Sequence, residues 1–478
     1  MDKLAIKNLT FRYKNDEPDI IKNLDFTLKT GTFNILYGAS GCGKSTLMKI
    51  IAGLYPEYSG HLSSGEMFLD GKDTSDWDIQ KVSRHVAILF QNPIDQFSMT
   101  TVKNEFIFTL ENIGIPSSDI DNIIDSSLKR VGISGFKERK IDTLSGGELQ
   151  KVSIAITLAM DADFIMLDEP FASIDMKSRG QLLSLLKDLQ VNDGKTILIT
   201  DHDLNGYQEL IDNLYHFQDG TLEHITNQSN VFSRYQSNSC KLTFDLPIEK
   251  NEGNIINIQN LHLQNGSKTL LADTSFSIFK NKMILLTGEN GTGKSTFFSA
   301  LTRLHDFKGQ INYQDKNILK YNQRKFARQI GFVFQDSQMQ YLKLTVQEEI
   351  DLSLKYTDFK DFWTSKAVDN YLLKLKLDQL KDHVVYQLSG GQKKKLQIFE
   401  MLILGTPVLL LDEPLAGLDI DSALVVMTMI KEISERQNQT ILLISHQLSG
   451  LNNFFDYHLE LRNQTLEYSE VANFESIS

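Results

Sequence analysis

Cysteine is scarce in this chain: two residues in 478, Cys42 and Cys240. Two thiols make neither a disulfide framework nor a four-ligand metal site, and they suit a reducing compartment. Long apolar runs are missing too. No stretch of 18 apolar residues occurs, so no segment is expected to cross a membrane. The opening MDKLAIKNLTFRYKND has no apolar stretch of the kind a secretory leader carries. Positive charge is in deficit, with 49 Lys and Arg against 61 Asp and Glu, a net −12. That weighs against a nucleic-acid partner, because phosphate backbones are usually met by a basic face. The remainder is ordinary, 41% hydrophobic and 23% charged. At about 100–200 residues per domain, such a chain makes roughly two to four domains.

What is present is written twice. Gly38-Ala39-Ser40-Gly41-Cys42-Gly43-Lys44-Ser45 and Gly288-Glu289-Asn290-Gly291-Thr292-Gly293-Lys294-Ser295 both fit G-x-x-x-x-G-K-[ST]. Leu144-Ser145-Gly146-Gly147-Glu148 has a twin in Leu388-Ser389-Gly390-Gly391-Gln392, and FIMLDEP (164–170) has one in VLLLDEP (408–414). Lys44 and Lys294 are 250 residues apart. Gln91 and Gln335, Ser145 and Ser389, Asp168 and Asp412, and His202 and His446 are each 244 apart. A register constant over more than a hundred residues means a duplicated domain. The spacing places one domain at 1–230 and the other at 251–478. A linker is expected over 231–250, where the polar, Ser/Asn-rich stretch TNQSNVFSRYQSNSC (226–240) leads in. Within each half, continuous apolar runs such as FNILY, FIMLD and TILIT read as buried parallel strands alternating with helices. The segment from about 92 to 160 reads as mainly helical, so each half is an α/β core with a helical insert.

A strand, a glycine-rich loop and a helix in that order make a phosphate cradle. Glycines let backbone N–H groups converge, and the helix N-terminus adds partial positive charge. Lys44 and Lys294 would reach the β- and γ-phosphates, and Ser45 and Ser295 would ligate Mg²⁺. Thr46 and Thr296 follow in the same loops. Downstream, each apolar strand ends in Asp-Glu. Asp168 and Asp412 would hold Mg²⁺, and Glu169 and Glu413 would orient and deprotonate a water, a role worth about 10²–10⁴ in rate.

With LSGGE and LSGGQ added, both halves resemble the nucleotide-binding domains of ATP-binding cassette (ABC) proteins over nearly the whole chain. The resemblance implies two tandem P-loop NTPase domains of α/β class, each with a RecA-like core and a helical subdomain, using ATP with Mg²⁺. It implies that the halves pair head to tail, so that each signature completes the other half's site. Lys44, Ser45, Gln91, Asp168, Glu169 and His202 would then act with Ser389, Gly390, Gly391 and Gln392. Lys294, Ser295, Gln335, Asp412, Glu413 and His446 would act with Ser145, Gly146, Gly147 and Glu148. Gln91 and Gln335 also count as Mg²⁺ ligands, and Asp175 and Asp419 match the loop that crosses between sites. Tyr13 fits the aromatic residue that stacks on adenine. Asn265 stands at the matching place in the second half, with no aromatic nearby except His262, so weaker nucleotide binding is expected there. Asp201 before His202 and Gln447 after His446 depart from the usual pattern without removing a catalytic group.

The run Asn92-Pro93-Ile94-Asp95-Gln96-Phe97 resembles the segment by which ATPases of energy-coupling-factor (ECF) vitamin and cobalt importers grip their membrane scaffold. The second half keeps only Gln340 and Tyr341 of it. The resemblance thus implies the energy-coupling ATPase of an ECF-type importer, peripheral on the cytoplasmic face of the membrane. It would partner an integral scaffold and a substrate-binding membrane subunit. The alternatives are the tandem ATPase of a sugar-type importer and a soluble, non-transport ABC ATPase.

Overall fold

The computed structural model describes all residues except 40, 172, 173, 175, 237–241, 248–252, 267, 290, 446–452 and 473–478. The chain divides into two compact units at residues 237 and 238.

In the first unit a six-stranded sheet runs in the order Thr221–His224, Asn213–Gln218, Phe33–Tyr37, Thr196–Thr200, Phe164–Asp168, Val86–Leu89. All neighbours are parallel except the edge hairpin of the first two. The apolar runs are continuous because both faces are covered. Ile165, Leu167, Ile197 and Ile199 point into one core with the helical insert. Phe164, Met166 and Leu198 point into the other, with the helix Lys44–Ile51 and a four-stranded antiparallel sheet. Side chains that alternate between two buried faces leave no place for a polar period of two. The insert is built from Val102–Asn112, Ser117–Arg130 and Gly146–Ala159, as its composition suggests.

The second unit repeats the plan. Its sheet runs Ile330–Val333, Val408–Asp412, Thr440–Ile444, Met283–Gly288, Tyr457–Arg462, Thr465–Tyr468. Its insert holds Val346–Tyr356, Ser365–Leu375 and Gly390–Leu404. In both units the strand feeding the phosphate loop lies inside the sheet. Its two neighbours are the last parallel strands of the unit, so the carboxyl ends of the strands converge on the crevice where such folds bind ligands.

One expectation shifts. The polar stretch 226–240 contains a helix, Gln228–Gln236, whose Phe232 is 2% exposed in the first unit's core. One apolar side chain with a socket outweighs a linker-like composition. Among the described residues, no helix is long and apolar enough to cross a membrane.

Candidate active site

Each phosphate loop turns from strand to helix through glycines with positive φ. Gly43 and Gly293, at 116° and 111°, immediately precede the helices Lys44–Ile51 and Lys294–Leu301. A Cβ there would be strained by the backbone and would press on Ile20 and Phe217, or on Leu270. The buried lysines turn onto their own loops. Lys44 Nζ donates to the carbonyls of Gly38 (2.8 Å) and Ala39 (3.0 Å), Lys294 Nζ to those of Gly288 (2.8 Å) and Glu289 (3.0 Å). Cys42 is half-buried, and burial pushes its thiol up against the opposing charge of Lys44. Ser40 and Asn290 lie outside the described residues.

Asp168 and Asp412 end buried strands. Burial and the charge of Glu169 push Asp168 up to about 6, against the hydroxyls of Thr200 and Ser45. Burial takes Asp412 to about 6 as well, with the Ser295 hydroxyl opposing. Each is a carboxylate raised by burial beside the serine that opens the phosphate helix. Carboxylate and hydroxyl oxygens are the donors a hard divalent cation takes, so the residues fit Mg²⁺. Among the described residues no cluster of three His, Cys, Asp or Glu forms a metal cage. A cation here would complete its shell with phosphate and water.

Glu169 and Glu413 follow, and both adopt positive φ, 47° and 48°. A non-glycine residue there stores about 1–3 kcal/mol of strain and persists only where its surroundings impose it. The imposing bonds are visible. Glu169 N donates to Thr200 O and Glu413 N to Ile444 O, both at 3.0 Å. In the first half Gln91 Nε2 donates to Glu169 Oε2 at 2.7 Å, and His202 Nδ1 lies 3.7 Å from Glu169 Oε1. Burial works to raise the Glu169 pKa, but His202, Lys44 and Gln91 outweigh it and hold the carboxyl below its usual range. Burial works against the His202 imidazolium, and the Glu169 carboxylate more than offsets that, so its pKa is raised. Gln91, Glu169 and His202 are thus brought together in the first half.

The loop carrying His202 rests on a buried network that the sequence does not announce. Asp201 Oδ1 accepts from the backbone N–H groups of His202 (2.8 Å) and Asp203 (3.0 Å), and its Oδ2 from Tyr207 OH (2.8 Å). Arg179 reaches from the helix Met176–Asn192 to Asp203 Oδ2 (2.5 Å) and to the Asp203 carbonyl (2.7 Å). In the second half the equivalents of Arg179 and Asp201 are Ala423 and Ser445. His446 and Gln447 lie outside the described residues.

Each signature opens a helix. Ser145 caps Gly146–Ala159 and Ser389 caps Gly390–Leu404, each in a reciprocal box with Glu148 or Gln392. This is the physical use of serine followed three residues later by Glu or Gln. Asp419 caps Ile420–Gln437, accepting from Ser422 N at 2.9 Å. Asp175 lies outside the described residues.

The place expected to face adenine differs between the halves. Tyr13 OH meets Thr46 Oγ1 at 2.8 Å, and Tyr13 packs edge-on against Phe11 and Tyr55 at 5.4 and 5.9 Å. The second half has Leu263, Asn265 and His305 at these places. There the hairpin closes at once, pairing Asn265 with Lys268, and Lys268 Nζ donates to Gly291 O of the phosphate loop at 3.0 Å.

The family model described as ABC transporter matches residues 21–172 and again 271–416. The chain belongs to this family. Its members hydrolyse ATP, so the chain is an ABC ATPase of two tandem domains. A Bacillus subtilis protein named "Putative HMP/thiamine import ATP-binding protein YkoD" is 32% identical, covering 97% of this chain and 91% of that protein. A Treponema denticola "Putative ABC transporter ATP-binding protein" is 30% identical, with 93% and 92% covered. A solved structure titled "RNase-L Inhibitor" shares the fold with TM-score 0.63 and 23% identity, covering 95% of this chain and 87% of that one.

Proposed function

We propose that this ABC transporter ATPase subunit powers an ECF-type importer of a small vitamin-like or metal substrate, from the cytoplasmic face of the membrane. It would work with an integral scaffold and a substrate-binding membrane subunit. Lys44 and Lys294 would bind the ATP phosphates. Ser45 with Asp168, and Ser295 with Asp412, would hold Mg²⁺, which neutralises phosphate charge. Glu169 and Glu413 would take a proton from the attacking water, and His202 would hold the terminal phosphate. Gln91 and Gln335 would relay the state of that phosphate to the helical inserts.

The observation that carries the transport reading is an apolar surface beside the second glutamine loop. Met339, Leu342, Leu344 and Tyr386 are 72, 78, 59 and 55% exposed. Val385 N donates to Leu344 O at 2.9 Å, which ties the residue before Tyr386 to the backbone of Leu344. Apolar side chains gathered on a surface mark a protein or membrane contact. The import name of the Bacillus relative supports the same direction. The test is affinity capture of the full chain from detergent-solubilised membranes. An integral scaffold with a small membrane subunit supports the proposal, and ribosomes or DNA would overturn it.

A further inference from the structure

The two glutamine loops are held differently by their own signature helices. In the second half Lys394, 6% exposed on the helix Gly390–Leu404, donates to Phe334 O at 3.0 Å and Gln335 O at 2.6 Å. One turn on, Gln397 Nε2 donates to the same Phe334 carbonyl at 3.1 Å and to Gln340 Oε1 at 2.8 Å. Tyr341 OH closes the set on Lys393 O at 2.5 Å. In the first half the register puts Gln150 and Ser153 at the places of Lys394 and Gln397. Both are buried, at 2 and 3%, and Gln150 Nε2 and Ser153 Oγ find no hydrogen-bond partner. Among the described residues no side chain donates to the carbonyls of Phe90 or Gln91.

We propose that Lys394 is a positioning residue: it fastens the second glutamine loop to the second signature helix, so that Gln335 moves with the helical insert, while the first loop is left free to move separately. Burying an ammonium is costly unless its donors are used, and here they are used on two successive loop carbonyls. A charge-assisted bond to backbone is among the stronger ones available. The consequence is a division of labour. The second site's glutamine follows the insert directly, and the first site's glutamine answers to Glu169. The proposal rests on the roles given above to the glutamine loops and the glutamates.

Two measurements on the full chain decide it. Native-state hydrogen exchange compares the amides of 335–341 with those of 91–97. The second loop is expected to exchange about tenfold or more slowly, the factor of a charge-assisted hydrogen bond. Lys394→Met should erase the difference and Lys394→Arg should keep most of it. Equal exchange of the two loops in the unaltered protein overturns the proposal without any variant. The second measurement uses Glu169→Gln, which confines turnover to the second site. Adding Lys394→Met should lower kcat by about 10–100-fold, the scale of a misplaced catalytic group, with KM within about twofold and with rescue by Arg. A loss in KM alone, or no rescue, makes Lys394 merely structural and overturns the proposal. If Glu169→Gln with Glu413→Gln turns over like the unaltered protein, the assignment of the bases fails. The exchange comparison needs no turnover and still decides Lys394.

Discussion

The two halves agree in the residues assigned to the chemistry and differ in what surrounds them. Both carry the lysine folded onto its loop, an aspartate raised to about 6 and a glutamate at positive φ. They part at the adenine face, at the glutamine loop and at the outer surface of the insert. The apolar Met339, Leu342, Leu344 and Tyr386 stand where the first half has Asp95, Ser98, Thr100 and Asp142. Duplication has kept the motif geometry in common and let the side chains around it differ, so nucleotide affinity, coupling and docking are the properties expected to diverge between the copies.

The comparison can be broken or sharpened by substitution. The largest effect is expected from Glu169→Gln combined with Glu413→Gln, which should lower ATP hydrolysis about 10²–10⁴-fold while ATP binding persists. Each single variant should retain part of the activity. Full steady-state activity in either single variant would mean that one half does no hydrolysis and that the likeness of the two sites is only formal.

Next comes the Arg179 network, whose Arg179 and Asp201 are replaced by Ala423 and Ser445 in the second half. Arg179→Leu removes the buried cation that pairs with Asp203 at 2.5 Å and lies 3.5 Å from Asp201, whose carboxyl burial already raises. Breaking a buried ion pair from one side costs about 3–5 kcal/mol. Calorimetry should show the first half's transition falling in temperature and the second half's unchanged.

A smaller change separates the adenine faces. Stacking of a base on an aromatic ring is worth about 1–3 kcal/mol. Lys294→Ala, which spares the first site, should therefore bind ATP more tightly than Lys44→Ala, and Tyr13→Ala should remove the advantage. Equal affinities in the two lysine variants would end the argument from Tyr13.

The smallest effect is a pH slope that His458 adds to the second half. His458 is buried where the first half has Leu214, and burial lowers its pKa from 6.5 to about 4. Between those values the unfolded chain binds a proton that the folded one refuses, so stability falls as pH drops from 6.5 toward 4. Urea titrations should show this acid loss in the second half, and His458→Leu should flatten it.

Much of the fold and of the candidate site is legible in the sequence because it rests on short-range signals. Glycine spacing, apolar runs and a 244-residue register locate the loops, the strands, Asp168, Glu169 and their twins. The supports are not legible for the converse reason. Arg179 meets Asp203 across 24 residues, Lys268 meets Gly291 across 23 and Lys394 meets Phe334 across 60. Nothing local distinguishes these cations from solvated ones until the chain is folded. The helix Gln228–Gln236 was hidden by its polar composition, since a single socket for Phe232 leaves no periodic trace.

The positive φ of Glu169 and Glu413 has a consequence for how this protein can be improved. A glycine at either position would relieve the backbone strain of about 1–3 kcal/mol, yet at 169 it would strip Gln91 and His202 of their buried partner, and at both it would remove the proposed proton acceptor. Backbone strain and the proposed chemistry therefore pull on the same two residues in opposite directions. A hardened variant that still hydrolyses ATP must find its gains elsewhere in the chain.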